Sequence, residues 1–90
     1  MLMIEKEIKI NNQTGLHARP AALLVEVANR YNAKLTISYG TKEANLKSIV
    51  SLMSLAVGTG EEVTIKGQGS DAQEAVDKIS EIIKNDFTEE

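Results

Sequence analysis

The chain of 90 residues has no cysteine and no tryptophan, and only one histidine, one proline and one phenylalanine. Without cysteine there are no disulfides and no thiolate chemistry, which suits a reducing compartment without requiring one. One histidine with no cysteine is a poor basis for a transition-metal site, so neither metal nor cofactor is expected. Two tyrosines and one phenylalanine cannot build a base-stacking platform, and a net charge of −3 supplies no basic face to displace counterions. Direct binding of nucleic acid is set aside on both grounds. The longest uncharged run, Ser48 to Gly60, is 13 residues and broken by serine, threonine and glycine, whereas a membrane span needs about 20 apolar residues. Membrane insertion is therefore not expected. Met1 to Ile4 is too short an apolar stretch for a secretion signal before the charges of Glu5, Lys6 and Glu7. The expected location is the cytoplasm.

What is present is ordinary globular composition, 42% apolar and 26% charged. The length predicts a single domain over 1–90, which buries only about 60 to 65% of the surface its unfolded chain exposes. Residues 3–10 alternate with Ile4, Ile8 and Ile10 on one face, and Lys6 interrupts that face as at a sheet margin. A helix is predicted over 18–31, with Ala21, Leu24, Val25, Ala28 and Tyr31 toward the core. Strands follow at 34–39 and 42–45, joined at Gly40-Thr41 as a hairpin. Ser48 reads as the N-cap of a short helix over 49–55, since its hydroxyl can accept from an orphan amide. A fourth strand spans 62–68. Ser70 and Gln73 have capping-box spacing at the head of a last helix that runs to 85 along Ala72, Ala75, Val76, Ile79, Ile82 and Ile83. Thr88, Glu89 and Glu90 are expected to fray. Connections between the middle strands are too short for parallel crossovers. The fold class is thus α+β: a mainly antiparallel four-stranded sheet, in the order β-α-β-β-α-β-α, covered on one face by two longer helices and one short one.

The chemistry concentrates in Thr14-Gly15-Leu16-His17-Ala18-Arg19-Pro20, at a strand-to-helix junction. Pro20 suits a first helical turn, where its missing N–H is no loss and its ring presets φ. Gly15 offers the positive φ of a sharp turn. His17 then sits beside the free amides of Ala18 and Arg19, a natural seat for an anion. Imidazole titrates near neutrality and so can present a nucleophilic ring nitrogen. Arg19 adds an always-charged planar donor fork matched to phosphate oxygens. Elsewhere, Ile49, Val50, Met53 and Ala56 are more apolar surface than so short a helix can bury, and an exposed methionine often marks a partner surface. Ala22 and Leu23 are either two tolerated surface residues or part of the same patch. With Ala18, and with Arg19 and Lys47 as a basic rim, the patch suits transient docking of acidic faces.

Two stretches together, Thr14 to Ala22 and Asn45 to Leu55, resemble the HPr family of phosphocarrier proteins of the bacterial phosphoenolpyruvate:sugar phosphotransferase system. Leu55 to Gly60 also resembles Crh, a regulatory branch whose members typically lack the histidine that this chain keeps. The resemblance implies an open-faced sandwich with three helices on a four-stranded sheet. It implies a phosphohistidine at His17, charged by Enzyme I and discharged to IIA domains of sugar permeases, and no enzymatic turnover by the chain alone. It also implies a phosphoserine at Ser48, made by HPr kinase/phosphorylase, whose modified form serves a catabolite-repression transcription factor. In a Crh-like protein the Ser48 role would dominate. Val50 and Ser51 depart from the usual family residues in the docking patch.

Overall fold

The structure, a computed structural model, describes residues 3–88. Met1, Leu2, Glu89 and Glu90, and the expectations that fall on them, lie outside the described residues. The elements are β1 (Met3–Lys9), α1 (Ala18–Ala28), β2 (Lys34–Tyr39), β3 (Lys42–Asn45), α2 (Ile49–Met53), β4 (Glu62–Gln68) and α3 (Ala72–Lys84). The strands form one sheet in the order β1-β4-β2-β3, and every pairing is antiparallel. Alternation places Ile8 opposite Val63 and Ile37 opposite Ile65, all four buried. The helices cover that face, and the other is open to solvent. This is the predicted α+β sandwich.

β1 is an edge strand, as Lys6 suggested. Lys6 takes a place on the apolar face and sets its ammonium 3.7 Å from Asp77 of α3. α3 approaches β4 at Gly67, where a Cβ would stand 2.7 Å from a Val76 methyl. The β2–β3 hairpin turns at Gly40, with φ of 62° at the first turn position, where glycine is the usual occupant.

Several boundaries differ from the sequence expectation, each for a local reason. α1 stops at Ala28, three residues early. Arg30 and Tyr31 form tighter bonds to the carbonyls three residues back, and the Asn29 amide folds onto Val25 O at 2.8 Å. The buried stripe of α1 is Pro20, Ala21, Leu24, Val27 and Ala28; Val25 and Tyr31 are only half-buried. α2 ends at Met53 because the amides of Leu55 and Ala56 also reach three residues back. Ala56 then takes a left-handed φ of 55°. β1 ends at Lys9, although Ile10 still exchanges bonds with Gly60 and Glu61. α3 stops at Lys84, with Asn85 as its C-cap. Thr88 is held, its hydroxyl donating to Asn85 O at 2.8 Å.

The capping box at Ser70 is a correction. Asp71 is the N-cap of α3, and no side chain caps the helix. The Asp71 carboxylate instead accepts from the amides of Asn32 and Ala33, both at 2.8 Å. Those two donors, in the turn after α1, have no strand or helix partner, and a charged acceptor satisfies both at once.

Candidate functional site

His17 is the N-cap of α1, with extended backbone, φ −103° and ψ −162°, and its side chain makes no capping bond. Its carbonyl accepts the Ala21 amide at 2.9 Å, which starts the helix. The ring is exposed. Ala18 and Arg19, the first two helical positions, have amides with no carbonyl one turn back. Pro20 follows as the third and has no N–H at all. The helix mouth therefore offers two backbone donors beside the imidazole.

The turn that presents His17 is clamped by the loop that follows α2. The Leu16 amide donates to Val57 O at 2.9 Å. Gly15, with φ of 69°, passes so close to that loop that a Cβ would stand 2.6 Å from Val57 O. Leu16 itself is buried. Asn12 braces the turn, its side-chain amide donating to Gly15 O at 2.9 Å and to Thr14 Oγ1 at 3.3 Å. The Asn12 side-chain oxygen is buried without a partner among the described residues.

His17 and Arg19 share an open depression of about 370 Å³ with Asn12, Thr14, Pro20, Asp86 and Phe87. Sequence reasoning singled out neither Asn12 nor the pair Asp86–Phe87. Asn12 was legible only as turn chemistry, and Asp86 and Phe87 reach the site from the far end of the chain. Among the described residues no group of three or more His, Cys, Asp or Glu side chains is placed to hold a metal ion. No helix among them is long and apolar enough to cross a membrane.

Ser48 is half-buried and caps α2, its Oγ accepting from the Ser51 amide at 3.2 Å. Ser51 uses its hydroxyl in turn to accept from the Asn45 amide at 2.9 Å, tying α2 to the end of β3. Leu52 carries the buried side of α2. Val50 is 80% exposed, Ile49 41% and Met53 43%. α1 packs beside α2, with Ala22 exposed and Leu23 half-buried against the core. Lys47 is half-buried beside α2. Its ammonium donates to Tyr31 O at 2.7 Å, and its carbonyl accepts from Asn29 at 3.4 Å, so it ties the turn after α1 to the start of α2.

Residues 4–85 match the family model described as the PTS HPr component phosphorylation site. The chain belongs to the HPr family. It is 44% identical over 84 residues to the HPr-like protein Crh of Bacillus subtilis, which spans 93% of this chain and 99% of that protein. The phosphocarrier protein HPr from Bacillus anthracis is 44% identical, with a TM-score of 0.86 over 90% of this chain and 96% of its own. HPr-C-His from Thermoanaerobacter tengcongensis is 40% identical, with a TM-score of 0.91 over 97% of this chain and 98% of its own. The HPr membership makes this a phosphocarrier-type component of the phosphotransferase system that works with the system's enzymes, not an enzyme in its own right.

Proposed function

We propose that the chain, acting as one cytoplasmic domain over 1–90, accepts a phosphoryl group on His17 from Enzyme I and passes it to IIA domains of sugar permeases. The carrying observation is that the ring of the chain's one histidine lies exposed at the mouth of α1, on the same depression as Arg19 and next to the unpaired amides of Ala18 and Arg19. A ring nitrogen bonds to phosphorus, and the bond from phosphorus to the donor breaks with its electron pair leaving on the donor. Passing the group on is the same exchange in reverse, with the imidazole as leaving group. Phosphoryl transfer of this kind needs positioning and charge stabilisation more than covalent help. The two amides and the Arg19 fork are suited to hold the equatorial oxygens, as a helix N-terminus holds anions generally.

Docking falls to Ala18, Ala22 and Leu23 on α1 and Ile49, Val50 and Met53 on α2, a small apolar surface for a short-lived complex. Ser48 is the regulatory site, modified by HPr kinase/phosphorylase, with the phosphoserine form acting on a catabolite-control transcription factor. A dianion among Ile49, Val50 and Met53 would repel an acidic partner and be costly to desolvate. The Crh likeness favours a second reading, in which the Ser48 role dominates. The retained His17, framed by its donor set, weighs toward the carrier.

The test is incubation with phosphoenolpyruvate and Enzyme I. The expected outcome is an acid-labile phosphate on His17, and no label on His17→Ala. A His17→Ala chain that still becomes labelled overturns the carrier reading. A native chain that Enzyme I never labels, while the kinase phosphorylates Ser48, leaves the regulatory reading standing in its place.

A further inference from the structure

We propose that Asp86, held at the rim of the His17 depression by Phe87, sets how readily a phosphoryl group leaves His17; the inference rests on the reading that His17 carries that group. After Asn85 caps α3, Asp86 and Phe87 take successive left-handed conformations, with φ of 56° and 64°. Asp tolerates that backbone region better than most side chains, whereas Phe resists it. Two bonds close the helix end over it, from Asp86 N to Ile83 O at 3.2 Å and from Phe87 N to Ile82 O at 2.8 Å. The Phe87 side chain is half-buried against the core. The reversed segment thereby lines the same depression as His17 and Arg19. It lies just beyond residues 4–85, the part shared with the family model.

Among the described residues, the titratable and charged side chains lining the depression are His17, Arg19 and Asp86. Asp86 is exposed and makes no ion pair with Arg19, so its carboxylate is not neutralised there. A phosphoryl group on His17 adds up to about two negative charges, attracted by Arg19 and the helix amides and repelled by Asp86. In a loose transition state the bond from phosphorus to the ring nitrogen is largely broken and the departing group carries less charge. The carboxylate then raises the energy of the phosphorylated ground state more than that of the transition state. In a solvent-exposed site at low salt, the effect on the rate of loss is about threefold.

The test prepares the phosphohistidine without Enzyme I. Potassium phosphoramidate donates its phosphoryl group to the imidazole nitrogen, ammonia leaves, and the product is followed by phosphorus NMR after the donor is removed. In the decay, a water oxygen bonds to phosphorus, the bond to the ring nitrogen breaks, and the nitrogen keeps the electron pair and takes a proton. Because Enzyme I is absent, failure of its labelling bears on the carrier reading, whereas the half-life bears on Asp86. Asp86→Asn should lengthen the half-life about threefold at low salt, and Asp86→Glu should restore the native value. Asparagine tolerates the left-handed backbone, so matching thermal melts for D86N and the native chain will show that the turn is kept. The ratio should fall toward one in about 0.5 M salt, where the screening length is only about 4 Å. Phe87→Ala, which releases the segment, should also lengthen the half-life. Equal half-lives for D86N and the native chain, or a difference indifferent to salt, overturn the proposal. A Phe87→Ala half-life at the native value overturns the anchoring role.

Discussion

Gly15 and Gly40 have nearly the same backbone angle, φ of 69° and 62°, but very different surroundings. Nothing lies within 4 Å of a Cβ built on Gly40, while one built on Gly15 meets Val57 O at 2.6 Å and Gly58 Cα at 2.9 Å. Gly40→Ala should therefore cost only the conformational term, about 1 kcal/mol. Gly15→Ala adds a backbone clash of the kind that costs roughly 1–3 kcal/mol, for a total near 3 kcal/mol. Urea unfolding of both variants measures the difference. If the two melt alike, the clamp between the His17 turn and the 57–58 loop is not tight. The same contrast explains what could be read in advance. Gly15, His17 and Pro20 were legible because their roles depend on neighbours in sequence: a turn, a helix start, a missing N–H. Asp86 was not, because its meaning comes from a distant helix mouth.

α2 has only five residues, and a helix so short depends on its ends and on packing more than on propensity. Ser48 supplies the N-cap and Leu52 the buried anchor. Ser48→Ala should destabilise the protein by about 1 kcal/mol, whereas Ser48→Asp retains a cap acceptor and should stay within about 0.5 kcal/mol of native. Transfer from Enzyme I separates the two roles. Ser48→Asp should slow it through added charge, and Ser48→Ala should leave it nearly unchanged. Equal transfer rates in all three proteins would remove Ser48 as a switch. The caps also show where element-level reading succeeds and fails. The Ser48 cap was visible because its acceptor and donor lie three residues apart. The Ser70 cap failed because Asp71, one residue on, is claimed by the amides of Asn32 and Ala33. Spacing within a segment carries no trace of such a demand from elsewhere. The ends of α1 and α2 were overrun for a related reason, since hydrophobic periodicity continues through turns that bond three residues back.

At the scale of the whole molecule, the proposed docking surface is separate from the layer that holds the fold. The core is a single apolar layer between the sheet and the helices, and Ile10, Leu24, Ile37, Leu52 and Ile65 within it are wholly buried. Val50, at 80% exposed, contributes almost nothing to that layer. Burying its side chain against a partner would recover the roughly 1.5–3 kcal/mol that complete burial of such a side chain is worth, less the cost of ordering it. A charge at that position should therefore penalise association while sparing the fold. Val50→Asp is expected to shift the urea midpoint by no more than about 0.5 kcal/mol in stability. At subsaturating Enzyme I it should slow phosphorylation of His17 by roughly tenfold, the factor that corresponds to about 1.4 kcal/mol. Raising the Enzyme I concentration should recover most of the rate, because the lesion lies in association and not in the chemistry at His17. A rate that stays low at saturation would place Val50 in the transfer step itself. A loss of stability in parallel with the loss of rate would mean that α2 cannot hold its place without this side chain, and the separation of working surface from core would fail.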